Sequence, residues 1–428
     1  MQTSSSTQQV VSLSNPYNNR LPVPVTIPAE FCDIDMNLIC GSYGHVYRVS
    51  TKAGEAFALK VFLSKASRNI QANEVKVSQK LFEIRDSNIV NVLDISRQEI
   101  FSNGYKYTAV LFKMEYLNGG SIAMYKRKST HDFNMDEVKV ASYQIATGLH
   151  ALHSYRILHR DLSLNNVLMV DSNPFTLYKI CDFGLSDHKE LEGDESSEIG
   201  PYFSHCPTRP NDNHPAEVFH EHLNMNTLVE HRATNVSYKI DSFAFGFCLW
   251  NLLFEAALFT QAPREDGHEE LLRLILSEHM NRAYKEHNCY KESSVELKEL
   301  FDGCFDPDAP HRYNVSQILE HNFFHDDNLR RNLMEVCTRF DTISDTLKEM
   351  VQSSDETHFQ TIIPRHLRSP MPPNITISPK KYIVSQNLSE FLPRPGDQLV
   401  NSIDQSGSTL RWSAIFPVFF YYSSSINF

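Results

Sequence analysis

The 428-residue sequence has eight cysteines but no C-x-x-C pair, and none of the eight has a histidine at metal-ligand spacing. That scatter argues against a disulfide framework or a structural zinc site, and fits a reducing compartment, cytoplasmic or nuclear. Long apolar runs are missing as well. The most apolar late segment, Trp412 to Tyr422, is broken by Pro417 and falls far short of the ~20 residues a membrane-spanning helix needs. The first residues, Met1 to Ser6, have neither a basic start nor an apolar core, so no secretory signal is expected. Positive charge is in deficit, with 40 Lys and Arg against 52 Asp and Glu and a net charge of −12. Nonspecific attraction of the whole chain to nucleic acid or to an anionic membrane is therefore not expected.

The length allows two or three domains with a sizeable core. A hydrophobic content of 41% with a mean hydropathy of −0.36 reads as a soluble protein carrying some disordered sequence. Residues 1–30, rich in Ser, Thr and Asn with Pro22, Pro24 and Pro28 close together, read as a disordered leader. Residues 363–411 carry seven prolines among Ser, Asn and Gln and read as part of a largely disordered tail over 353–428.

Chemistry-bearing residues concentrate in His159-Arg160-Asp161-Leu162-Ser163-Leu164-Asn165-Asn166 and, after two strand-like runs, in Asp182-Phe183-Gly184. A carboxylate, an amide and a second carboxylate at these intervals suit phosphoryl transfer. One acid receives or orients the nucleophile's proton, and an Asn/Asp pair holds divalent metal against a triphosphate. Upstream, in order, lie the glycine turn Gly41-Ser42-Tyr43-Gly44-His45-Val46, then Lys60 in the alternating run Phe57 to Phe62, then Glu74, 14 residues beyond Lys60 in a run of helical character. Taken alone, the turn reads as an ordinary hairpin and the lysine as a solvated one. As an ordered series the five pieces resemble the Gly-rich loop, lysine, glutamate, H-R-D-x-x-x-x-N and D-F-G motifs of the eukaryotic protein kinases.

The resemblance covers roughly Phe31 to Phe324 and implies an α+β, bilobal fold: a small antiparallel β-sheet lobe over 31–117 and a larger helical lobe over 118–325. It implies ATP and Mg²⁺, with Asp161 orienting the nucleophile, Lys60 on the phosphates, Glu74 fixing Lys60, and Asn166 and Asp182 as metal ligands. Around the nucleotide it sets Ile39, Gly41, Gly44, Val46, Ala58, Met114 as gatekeeper, the backbone of Glu115 and Leu117, and Leu168 beneath the adenine. The function it implies is transfer of the γ-phosphoryl group to protein serine or threonine hydroxyls. The alternative is a pseudokinase acting as a nucleotide-binding scaffold or interaction module.

The departures from the family pattern motivate that alternative. Ile39 stands where the family has its first loop glycine, and Ser78 where it commonly packs a hydrophobic side chain of the regulatory spine. Ser163 and Asn165 fill the places where serine/threonine and tyrosine kinases carry a cation. The segment ending in Pro215-Ala216-Glu217 has Pro210 for the usual threonine and Asn213 for the usual tyrosine. Glu217 is expected to pair with Arg312, Asp241 to brace the catalytic loop, and 222–236 to form a surface insertion. Arg160 is expected to bind a phosphorylated side chain, with Ser196, Ser197 and Thr208 as sites for an activating kinase. Beyond the last kinase helix, Leu329, Leu333, Val336, Phe340, Ile343, Leu347 and Met350 predict one amphipathic helix over 326–352. Its stripe suits a homodimer seam, a regulatory protein, or packing back onto the kinase.

Overall fold

A computed structural model describes residues 10–13, 23–41, 44–65, 70–82, 84, 86–102, 105–129, 131–188, 213–218, 237–254 and 284–340. Two short strands come first, β1 (Val10–Leu13) and β2 (Val23–Thr26), paired antiparallel. They are followed by β3 (Phe31–Gly41), β4 (Gly44–Thr51), β5 (Ala56–Lys65), helix α1 (Ile70–Leu81), β6 (Val92–Ser102) and β7 (Tyr105–Glu115). The last five strands form one antiparallel sheet in the order β3-β4-β5-β7-β6.

Side chains alternate across this sheet, as a pleated strand requires. On one face Tyr47, Val49, Leu59, Val61, Leu63, Tyr107, Ala109 and Leu111 form a buried cluster that also takes in Val11, Val25 and Ile27 from the N-terminal hairpin. On the other face Phe62, Val110 and Phe112 join the main core. The expectation of a disordered leader over 1–30 is corrected for 10–13 and 23–30, while 1–9 and 14–22 lie outside the described residues. The proline spacing hides two β-branched runs whose apolar side chains seal the outer face of the sheet. Pro24 is accommodated because a two-stranded hairpin leaves half of its amides outside the ladder. The hairpin is also tied by polar contacts: the Thr26 amide donates to Gln98 Oε1 at 3.2 Å, and Gln98 Nε2 donates to the Thr26 carbonyl at 2.5 Å.

The second lobe is mostly helical. After β8 (Gly120–Ser121) come α2 (Ile122–Lys128), α3 (Met135–Ser154), β9 (Ile157–Leu158), β10 (Val167–Met169), β11 (Tyr178–Ile180) and β12 (Asp187–His188). Beyond them lie α4 (Lys239–Leu253), α5 (Asn288–Glu292), α6 (Val295–Cys304), α7 (Val315–Leu319), a 3₁₀ turn at Asn322–Phe324, and α8 (Asp327–Arg339). Helix α3 starts on a capping box, with Asn134 Oδ1 accepting from the Glu137 amide and the Glu137 carboxylate accepting from the Asn134 amide. Its neighbour α4 is apolar almost all round and correspondingly buried. Gly148 lets α3 approach the 86–90 turn closely, because a Cβ there would stand 2.7 Å from the Asn88 carbonyl oxygen. The isolated parallel bridge Ile89↔Ile180 fastens that turn to β11, linking the lobes just behind the cleft.

The predicted continuous helix over 326–352 is shorter among the described residues. It ends at Arg339, and Phe340 has extended backbone, φ −124° and ψ 120°. Its first three seam residues, Leu329, Leu333 and Val336, are fully buried in the main core, and Phe340 packs against the same core. Asp326 caps the helix by accepting from the Leu329 amide at 2.6 Å and pairs with Lys139 of α3. At the other end Arg339 reaches Asp171 at 2.6 Å. This part of the stripe is thus covered by the chain's own second lobe; Ile343, Leu347 and Met350 lie outside the described residues. Among the described residues no helix is long and apolar enough to cross a membrane.

Candidate active site

The alternation that buries Leu59 and Val61 on the outer face of β5 turns Lys60 into the cleft. Its ammonium lies 2.8 Å from Glu74 Oε1 and 2.6 Å from Asp182 Oδ1. Burial alone would lower the Lys60 pKa, but the Asp182 and Glu74 carboxylates outweigh it and hold the ammonium well above its usual range. Burial presses Glu74 upward against the pull of Lys60. Partial burial would raise the pKa of half-buried Asp182, yet Lys60 and the Gly184 amide hold it below the ordinary carboxylate value. Helix α1 faces the cleft with Glu74 engaged, and Ser78, one turn on, is buried rather than turned to solvent.

The catalytic loop is built from backbone held by side chains. Buried Asp241, at the start of α4, accepts from the His159 amide at 2.8 Å, the Arg160 amide at 2.9 Å and His153 Nε2 at 2.9 Å. Burial would raise its pKa; donation from His153 and the Arg160 amide outweighs that and keeps it low. His159 donates Nε2–H to the Cys181 carbonyl at 3.0 Å, which fixes the tautomer and leaves Nδ1 to accept from the Asp161 amide at 3.2 Å. Its ring meets Phe183 edge-on with centroids 5.5 Å apart. Asn166 Nδ2 donates to the Asp161 carbonyl at 2.7 Å and to Asp161 Oδ2 at 3.0 Å.

Asn166 Oδ1 therefore points its acceptor away from Asp161, and Asp182 Oδ2 accepts no hydrogen bond among the described residues. Two oxygen ligands of this kind fit a Mg²⁺ that takes its remaining ligands from phosphate and water. Among the described residues no group of three or more His, Cys, Asp and Glu is placed to hold a metal ion.

Other residues expected around the nucleotide lie on β3, β4, β5, β7 and β10 and just past β7. Gly41 and Gly44 face each other across the β3–β4 turn, and Ile39 pairs with Val46 in register. Val46 lies opposite Lys60, and Ala58 opposite Met114. Leu117 is buried just past β7, and half-buried Leu168 lies in β10 opposite Lys179. The Glu115 side chain serves the scaffold: it accepts from buried Lys179 at 2.8 Å and from the Asn91 amide at 2.7 Å. Tyr43 at the loop tip lies outside the described residues.

Glu217 and Arg312 meet as expected, at 2.6 and 3.3 Å, with the guanidinium fully buried. Arg160, expected to hold a phosphorylated side chain, lies 3.3 Å from the Asp187 carboxylate. Ser196, Ser197, Thr208, Pro210 and the expected insertion at 222–236 lie outside the described residues. Two contacts have no counterpart in the sequence reading: Asn213 Nδ2 donates to the Leu162 carbonyl at 3.2 Å, and His214 Nε2 donates to the Arg160 carbonyl at 2.9 Å. Their partners are main-chain oxygens, which residue identity does not mark.

A family model described as protein kinase domain matches residues 35–324, more than half of the chain. The chain belongs to the eukaryotic protein kinase family. The chain is 22% identical over 316 residues to serine/threonine-protein kinase STY17 of Arabidopsis thaliana, covering 71% of this chain and 48% of that one. It is 27% identical over 296 residues to serine/threonine-protein kinase SRK2F of the same plant, covering 69% and 74%. Over 156 residues it is 31% identical to cyclin-dependent kinase 12 of Caenorhabditis elegans, covering 36% and 21%. The chain spans less than half the length of STY17 and of a further relative, serine/threonine-protein kinase STY46 of Arabidopsis thaliana, of which 42% is covered. The two lobes and the cleft between them are those of a bilobal α+β kinase fold.

Proposed function

We propose that this kinase transfers the γ-phosphoryl group of ATP to serine and threonine hydroxyls of protein substrates. The observation that carries the reading is the assembled set of Lys60, Glu74, Asp161, Asn166 and Asp182, with Lys60 drawn between two carboxylates at 2.8 and 2.6 Å. As the substrate oxygen bonds to the γ-phosphorus and the bond from that phosphorus to its bridging oxygen breaks, the hydroxyl proton passes to the Asp161 carboxylate. Lys60, fixed by Glu74, neutralises phosphate oxygens of the nucleotide. Asn166 Oδ1 and Asp182 Oδ2 are the ligands for Mg²⁺, which when bound offsets the charge developing on the phosphates. Preference for serine and threonine over tyrosine draws on the names of the relatives.

Purified protein given labelled ATP and mixed protein substrates is expected to transfer label to serine and threonine. Asp161→Asn and Lys60→Met should each lower the rate by about 10²–10⁴. Equal labelling by wild type and Asp161→Asn would refute the assignment. The second reading, a nucleotide-binding pseudokinase, is favoured by Ser163 and Asn165 standing where a cation is expected. Its mark would be thermal stabilisation by ATP with no transfer, even with the loop phosphorylated.

A further inference from the structure

Four consecutive carbonyls of the catalytic loop are each bound by a side-chain donor. The His159 carbonyl accepts from Ser186 Oγ at 3.1 Å, Arg160 from His214 Nε2 at 2.9 Å, Asp161 from Asn166 Nδ2 at 2.7 Å, and Leu162 from Asn213 Nδ2 at 3.2 Å. No helix or sheet ladder supplies these bonds, so the backbone path through Asp161 is set by the four donors. Arg160 needs such holding most. Its φ of 66° lies in the left-handed region, which is strained for a non-glycine residue. Asp241 takes the amide of Arg160 and His214 takes its carbonyl, so both peptides flanking the strained residue are fixed.

Asn213 and His214 also sit on a firm base. They immediately precede Pro215-Ala216-Glu217, and Glu217 is anchored by fully buried Arg312 at 2.6 Å. His214 is itself buried, and Val218, at the other side of the anchor, is buried in a small cluster with Leu158 and Ile240. The C-terminal end of the activation segment is thereby joined to the residues on either side of the reacting carboxylate. A lysine at 163 and a threonine at 210 are the neighbours of Asp161 that the family pattern leads one to expect, and Ser163 and Pro210 fill those places.

We propose that Asn213 and His214 are positioning residues for Asp161: consecutive side chains of the activation segment that grip the Arg160 and Leu162 carbonyls and so aim the carboxylate between them. The role rests on Asp161 being the reacting acid of the proposed phosphoryl transfer. It gives that reading its own means of aligning Asp161, independent of the missing lysine and threonine.

The test compares His214→Leu, His214→Gln and Asn213→Ala with wild type in the full chain, by kcat and KM for ATP, thermal unfolding, and amide hydrogen exchange across 159–166. His214→Leu removes the donor and should lower kcat by about tenfold or more with KM for ATP within about twofold, while the Arg160 and Asp161 amides exchange faster. His214→Gln, which keeps a donor, should recover much of both. Asn213→Ala, at a half-buried position, should lower kcat without lowering the melting temperature, and decides the matter if His214→Leu does not fold. Unchanged kcat and unchanged exchange in all three variants overturn the proposal. If wild type itself transfers no phosphate, the kinase reading fails and the exchange data still judge the grip: equal protection in wild type and variants overturns it, faster exchange upholds it as a backbone clamp.

Discussion

Arg160 and Asp182, the residues beside and across from Asp161, both have left-handed backbone, with φ of 66° and 65°. Non-glycine residues stay there only where their surroundings leave no alternative. For Arg160 the main restraint on the amide side is Asp241, whose one carboxylate takes three donors. An asparagine at 241 has a single acceptor oxygen and would turn its own NH₂ toward at least one of those donors. Asp241→Asn is expected to destabilise the fold by about 2–3 kcal/mol, read by urea unfolding. The sign of its pH dependence follows from a folded pKa held below the ordinary value. The stabilisation is full above the ordinary aspartate range and is lost as pH falls through the lower folded value, so the gap between wild type and variant should close in acid. At this scale the polar residues that meet one another, Lys60 with Glu74 and Asp182 and Asp161 with Asn166, could be picked out in the sequence, because they carry their chemistry in their side chains at fixed intervals. Asn213 and His214 were not, since an amide or imidazole that meets a main-chain oxygen leaves no partner residue in the sequence to pair it with.

Among the elements, α8 separates what periodicity states from what it omits. The stripe Leu329, Leu333 and Val336 correctly marks one apolar face, and all three residues are buried. Periodicity names neither the surface that covers the stripe nor where the helix stops, and here the second lobe covers it and the helix ends before Phe340. Leu333→Ala is accordingly expected to cost about 2–5 kcal/mol in a monomer at any protein concentration. Met334→Ala, whose side chain is 46% exposed on the opposite side, should be within about 0.5 kcal/mol of wild type. A cost for Leu333→Ala that vanished on dilution would point instead to a second copy. The leader went unread for a related reason. Proline spacing signals disorder on average, while Val11, Val25 and Ile27 acquire their meaning only against an apolar sheet face formed later in the chain.

At the largest scale, the described residues form two lobes joined around a cleft, and that much followed from the family that the ordered motifs resemble. The lobes' limits followed less well. The family match begins at residue 35 and stops at 324. Yet Val11, Val25 and Ile27 close one side of the sheet, and Leu329, Leu333 and Val336 fill a space against α3 on the far lobe. A chain cut to 35–324 is expected to lose solubility and to unfold at a lower temperature than one spanning 1–340, as measured by yield in the soluble fraction and by thermal melting. Equal behaviour of the two would show that both ends are dispensable. For anyone choosing where to begin and end a recombinant protein, the sealed outer face of the sheet has a practical meaning. Shared ancestry marks out the part of this chain that relatives have kept, while burial marks out the part that must be present for water to stay off Leu59, Val61 and Leu111. A boundary drawn by ancestry alone runs through the interior of this protein.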